Sequence, residues 1–135
     1  VFAASIQNAS AIVFCPSNPF LSVDPILAIP GTKVGIADSG VPRVIVSPII
    51  GGQAIKGPAA RIFETFANKP PSALAVAQHY AGLATHFVMD TVDEASRSEV
   101  EALGYTVLVT ETLMTSEEHK IALAKAVCEM VGVPV

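Results

Sequence analysis

The sequence predicts an α/β fold built on a mostly parallel, Rossmann-like sheet flanked by helices, and three observations carry that prediction. Four short apolar runs read as strands: "AIVFC" (Ala11 to Cys15), "RVIVS" (Arg43 to Ser47), "HFVMD" (His86 to Asp90) and "YTVLVT" (Tyr105 to Thr110). Each is apolar without alternation, the pattern of parallel strands buried on both faces. The segments between the runs are long enough for helical crossovers, which parallel strands require. Helix boundary signals fall inside those segments.

Taken in order, a helical pattern is already under way at Val1 in "VFAASIQNASAIVF", and the chain opens without Met. Pro58 suits a first helical position, and Ala59, Ile62, Phe63 and Phe66 follow at the spacing of one helix face. A second helix is predicted to start at Ser72 after Pro70-Pro71, with Ala73, Val76, Ala77 and Tyr80 on its buried stripe. Ser96 with Glu99, and Thr115 with Glu118, have the capping-box spacing, in which a hydroxyl and a carboxylate satisfy unpaired helix-end amides. Gly104 and Gly132 are expected to end the two helices that follow. The predicted order is helix, strand, helix, strand, two helices, strand, helix, strand, helix, in one segment covering residues 1–135.

The totals limit what such a chain does. Its 135 residues suffice to bury a core, and with 51% hydrophobic and 15% charged residues it is not a disordered chain. No run approaches the roughly 20 consecutive apolar residues of a membrane-spanning helix, so a soluble chain with no membrane partner is expected. Net charge is −4, with eight Lys plus Arg and no basic cluster, which removes the electrostatic drive for nucleic-acid binding. Cys15 and Cys128 have neither a metal spacing nor a disulfide pattern, so a reduced, cytoplasmic setting is expected. Nothing resembles a secretion signal.

In open parallel sheets ligands bind beyond the carboxyl ends of the strands, where loops converge and helix N-termini expose free N–H groups. The unusual residues of this chain collect there: "PSNP" after the first strand, "SPIIGGQAIKGP" after the second, Asp90-Thr91 after the third and "TETLMT" after the fourth. In the second loop, which begins at Ser47, Gly51 and Gly52 permit positive φ and bring amides close to a ligand, Lys56 supplies charge, and Gly57-Pro58 leads into a helix N-terminus. Gly52 and Gly57 have the spacing of a P-loop, but Pro58-Ala59 stands where the Lys-[Ser/Thr] would reach phosphate and magnesium, so a Walker-type NTPase is rejected. The plain alternative is a glycine turn before a proline-started helix.

In "PSNP", Ser17 and Asn18 offer neutral polar groups whose swing Pro16 and Pro19 restrict, which suits a diphosphate, ribose or base edge. The same residues also fit a helix start, capped by Ser17 or Asn18 with Pro19 in its first turn. Asp90 fits a cation or ribose contact, and equally a cap for the next turn. His79 and His86 lack metal-ligand spacing and read as structural or surface residues. Glu111 suits a base or a solvated loop residue. Cys15 and Asp24 have no role legible in sequence, and no catalytic constellation is identifiable.

The stretches "AIVFCPSNPFLSVDPILAIPG", "VIVSPIIGGQAIKGPAARIF", "PSALAVAQHYAGLATHFVMD" and "ALGYTVLVTETLM" occur in one order. Together they resemble the C-terminal half of the CofD family, the 2-phospho-L-lactate transferases of coenzyme F420 biosynthesis. The resemblance implies a Mg2+-dependent transfer. A guanylated donor, lactyl-2-diphospho-5'-guanosine or its enolpyruvyl counterpart, gives its phospho-acid portion to the deazaflavin Fo, and GMP leaves. Ser17, Asn18, Pro19, Ser47, Gly51, Gly52, Lys56, Gly57 and Pro58 are the residues expected at the nucleotide, with Asp90 a candidate for the metal. Family members are about twice this length, so catalytic and metal-binding groups are expected outside these residues, and the isolated segment is expected to be inactive. A homo-oligomer is also expected, since an exposed sheet edge promotes association. The competing reading is a non-catalytic, nucleotide-sugar-binding regulator of the same superfamily, whose members carry a Gly-Pro-Gly-Ser type turn where this chain has "PSNP".

Overall fold

The computed structural model describes residues 2–54, 65 and 69–135. The described elements begin with α1 (Phe2–Gln7), β1 (Ile12–Phe14), a single π-helical turn (Pro19–Val23), α2 (Asp24–Leu27), α3 (Thr32–Ala37) and β2 (Arg43–Val46). A small hairpin follows, β3 (Ile49–Ile50) and β4 (Gln53–Ala54), and then α4 (Ala73–His79), β5 (His86–Asp90) and a 3-10 turn (Thr91–Ser96). The chain continues through α5 (Arg97–Glu101), β6 (Thr106–Thr110) and α6 (Glu117–Met130). β1, β2, β5 and β6 form one sheet in that order, every neighbouring pair parallel. The helix predicted from Pro58 lies outside the described residues.

The register explains how the sheet is packed. Phe14, Ile45, Phe87 and Val107 are paired in sequence across the four strands, so their side chains form one row on one face. That row joins Ile6 of α1, Ile36 of α3, and Ala73, Val76, Ala77 and Tyr80 of the α4 segment in the larger core. The stripe predicted for α4 is therefore the face it buries. On the other face, Val44, Val46 and Val88 cluster with Leu123 and Val127 of α6, and the partly buried Leu108, Met130 and Val131 pack against them. Val13, whose register places it beside Val44, stays 44% exposed. The expectation that all four strands are buried on both faces thus holds for β2 and β5 and fails for β1 and β6. A strand at the end of the sheet has one neighbour, and among the described residues the helix that packs on this face, α6, meets the central strands β2 and β5.

Two capping assignments also need correction. Ser96 makes no cap hydrogen bond, because the helical path already begins at Thr91 and Ser96 lies inside it. At α6 the cap is Ser116, one residue later than expected. Its Oγ accepts from the N–H of His119, while Thr115 Oγ1 meets His119 Nδ1 at 2.7 Å. At the other end of α6, the N–H of Val133 donates to Cys128 O and that of Gly132 to Glu129 O, around Gly132 at φ 70°. This is the paired closure that a left-handed glycine allows. The helix predicted to start at Ser72 does so, and Ser72 is its cap, with Oγ accepting from the N–H of Ala75 at 3.0 Å. Among the described residues, no helix is long and apolar enough to cross a membrane.

Candidate functional site

The loops that carry the unusual residues all leave the carboxyl ends of parallel strands, so they share one rim. After β1, Asn18 is extended at φ −61°, ψ 119°, and its Oδ1 accepts from the N–H groups of Phe20 at 3.0 Å and Leu21 at 3.1 Å. Its own carbonyl accepts from the N–H groups of Ser22 and Val23, the second of these giving the turn its π character. Pro19 occupies the first helical position and is buried, while Ser17 is half-buried beside it. The amide oxygen of Asn18 is therefore committed to capping, which fixes the direction in which the rest of the amide group faces.

After β2, the chain turns a corner on Ser47. Its N–H donates to Val88 O on the neighbouring strand, its hydroxyl donates to Ile49 O at 2.9 Å, and the same oxygen accepts from the N–H of Ile49 at 3.2 Å. Ser47 is fully buried, which keeps that hydroxyl on the main chain. The corner leads into β3 and β4, joined by Gly51 and Gly52 at φ 56° and 76°. Two consecutive positive φ values define the tight primed turn that matches strand twist, and glycine adopts it without a Cβ penalty. The positive φ expected of both residues is present, in the form of a hairpin that the sequence reading did not foresee. Its signal was a Gly-Gly pair between "II" and "QA". Lys56, Gly57 and Pro58 lie outside the described residues.

The third and fourth loops are tied together by Asp90. Its Oδ1 accepts from the N–H of Val92 at 3.1 Å and the hydroxyl of Thr91 at 3.3 Å. Its Oδ2 accepts from the N–H of Thr112 at 2.8 Å and from the Thr112 hydroxyl at 3.0 Å. Burial by itself pushes the Asp90 carboxyl upward, and the four hydrogen bonds more than reverse this, leaving it below the usual carboxylate range. Thr112 is 1% exposed, and the sequence reading missed it. It lies two residues beyond Thr110, the register partner of Asp90, so its role is visible only once β5 and β6 are paired.

Asp93, also missed, joins the second loop to the third. Its carboxylate oxygens lie 3.0 and 3.2 Å from the N–H of Gly51. A rim amide of the glycine turn thus already faces an oxyanion, supplied by the protein. Glu111 is exposed on the fourth loop.

The histidines sit elsewhere. His79 Nε2 lies 3.0 and 3.1 Å from the two oxygens of Asp24, joining α4 to α2, with Phe20 edge-on to its ring at 4.9 Å. This gives Asp24 a structural role that the sequence did not show. His86 Nδ1 meets Thr85 Oγ1 at 2.8 Å at the opposite end of β5, where burial and then Arg43 hold its pKa below the ordinary value. Among the described residues, no three His, Cys, Asp or Glu side chains gather as a metal site. Both oxygens of Asp90 are occupied by hydrogen bonds, so the described residues do not fit a Mg2+ site.

Comparison with known proteins gives this rim a context. Residues 2–127 match the family described as 2-phospho-L-lactate transferase CofD. The chain is 39% identical over 127 residues to a phosphoenolpyruvate transferase of Streptomyces griseus, covering 93% of this chain and 40% of that protein. It is 33% identical over 128 residues to the 2-phospho-L-lactate transferase of Methanocaldococcus jannaschii, covering 95% and 39%. It is 30% identical over 132 residues to a phosphoenolpyruvate transferase of Mycobacterium bovis, covering 96% and 39%. The chain thus spans about two fifths of the length of the curated relatives it matches. A parallel sheet with its irregular loops on one rim, and a match that runs from α1 to Val127 within α6, lead to one assignment: this chain belongs to the CofD family.

Proposed function

We propose that this chain forms part of a transferase that moves 2-phospho-L-lactate, or its phosphoenolpyruvate counterpart, from a guanosine-diphosphate-linked donor to the deazaflavin Fo in coenzyme F420 biosynthesis. The observation that carries the reading is that the Asn18 loop and the Gly51–Gly52 hairpin leave the same rim from adjacent strands, in a chain of this family. Both loops are stiff. Asn18 and Pro19 lock the first, and the Ser47 corner with the Asp93 contact locks the second. Stiff polar loops bind a diphosphate without first losing conformational freedom.

In this reading the hydroxyl of Fo attacks the phosphorus that carries the phospho-acid. The bond from that phosphorus to the bridging oxygen breaks, its electron pair leaves with GMP, and the hydroxyl proton is released. The contribution of this chain is positioning: Ser17, Asn18 and the glycine turn, with Lys56 and Gly57-Pro58 beyond them, hold the guanosine diphosphate portion so that attack is in line. Mg2+ belongs to the proposal as a counter-charge on the diphosphate, and we assign it no ligand among the described residues and no step.

The test is ligand-dependent stability, because a ligand that binds only the folded chain raises its unfolding free energy by RT ln(1 + [L]/Kd), about 2.7 kcal/mol at a hundred times Kd. GDP is expected to raise the melting temperature and to shift the amide resonances of Ser17, Asn18, Gly51 and Gly52. Stabilisation by UDP-glucose with no response to GDP would overturn the reading.

A further inference from the structure

β1 stands at one end of the sheet but carries the residues of an interior strand. The N–H of Ile12 donates to Pro42 O, so Ile12 turns its backbone polar groups toward β2. In a parallel pair these groups alternate in direction along the strand, which sends the N–H and C=O of Val13 out of the open edge. Neither finds a partner among the described residues. The Val13 side chain is uncovered as well, at 44% exposure.

An open edge is ordinarily guarded by charge, proline or a bulge. At the other end of the sheet, β6 has Glu101 shortly before it and Glu111 directly after it. Ala11 to Cys15 hold no charged residue and no proline, and no Asp, Glu, Lys or Arg occurs in residues 1–23. α1, β1 and the π-helical turn therefore contribute no charged side chain to the surface around this edge. Depletion of charge is the compositional mark of the buried centre of an interface.

The sheet and the family together indicate the occupant. The match covers 93% of this chain and 40% of the Streptomyces griseus protein, so the larger part of a family chain lies outside it. Every strand pair in the sheet is parallel. A second copy related by a two-fold axis would meet β1 antiparallel and break that pattern, whereas a strand from the rest of a family chain can continue it. We propose that the open edge of β1 takes a further apolar, parallel strand from the part of a CofD-family chain that the match leaves out, so that β1 is interior in the assembled sheet. The proposal concerns the edge alone and holds whatever the rim binds.

Hydrogen exchange tests it, at Val13 in this chain and at the residue aligned with Val13 in the intact Streptomyces griseus protein. Exchange is expected to be fast in this chain and slower by about a hundredfold or more in the intact relative. A second measurement puts this chain in place of the matched segment of that relative and compares Val13→Lys there with Val13→Lys in this chain alone. The exposed side chain makes the change mild in this chain, and the melting temperature of the joined protein is expected to fall by several degrees more. Should the joined protein fail to fold, the exchange measurement decides alone. Equally fast exchange in the two proteins, or an equal effect of Val13→Lys in both, would overturn the proposal. Protection that rises with protein concentration would also overturn it, by assigning the edge to a second copy.

Discussion

Asp90 and Asn18 stand at the ends of two strands of the same sheet, and each turns a side-chain oxygen onto backbone amides. Asn18 serves Phe20 and Leu21, two and three residues away, and its whole effect is local. Asp90 serves Val92 in the same local manner with one oxygen, and with the other it reaches Thr112, 22 residues along the chain. One residue shapes a turn, and the other fastens two loops of the rim together. The difference is one of consequence as well as distance: a local cap that is lost exposes its amides to water, whereas Thr112 is buried and has nowhere else to turn.

The largest effect that would sharpen this contrast is expected for Asp90→Ala. It strands the buried N–H and hydroxyl of Thr112, and removing a charged acceptor from such a network is expected to cost about 3 kcal/mol. Chemical denaturation of the variant and the parent measures it. A loss no greater than that of Asn18→Ala would break the comparison. Acid offers the same test without mutation. Because the folded carboxyl lies below its ordinary value, its stabilisation is complete above the unfolded pKa. It is lost as pH falls through the folded value, so unfolding curves of Asp90→Asn should be flatter than the parent's on the acid side.

A smaller loss is expected for Gly51→Ala, which forces a side chain into φ 56° and brings its Cβ within 3.3 Å of Val92 Cγ1. The left-handed conformation alone costs roughly 1–2 kcal/mol. Asn18→Ala follows, at about 1 kcal/mol, the usual value of a lost helix cap. Both are read by the same denaturation experiment. If Asn18→Ala proved as damaging as Asp90→Ala, Asn18 would hold more than its own turn.

The contrast also explains what the sequence could reveal. Ser72 and Gly132 act on their own chain neighbours, and their positions beside helical periodicity foretell those roles. The parallel order follows from apolar runs separated by crossover lengths, again a property of contiguous stretches. Thr112, Asp93 and the Asp24–His79 pair depend on which strands and helices become neighbours, and nothing within a few residues of any of them encodes that. The exposure of Val13 was hidden for the same reason, since "AIVFC" is as apolar as a central strand and only the sheet order makes it an edge. The glycine turn stands between the two cases. Its residues announced positive φ, but the flanking pairs "II" and "QA" are too short to read as strands.

Asp93 supplies the smallest and most discriminating test, because it joins distant parts of the chain as Asp90 does and yet lies nearer to solvent. If distance along the chain set the cost, Asp93→Ala, which breaks a contact 42 residues long, would rival Asp90→Ala. If burial sets it, the Gly51 amide finds water when the carboxylate is removed, and the loss stays within the range of exposed charged contacts, under about 1 kcal/mol. The second outcome is expected. It would be accompanied by faster hydrogen exchange at the Gly51 amide, with Thr112 still protected. An Asp93→Ala variant as unstable as Asp90→Ala would mean that the hairpin and the 3-10 turn stand or fall together.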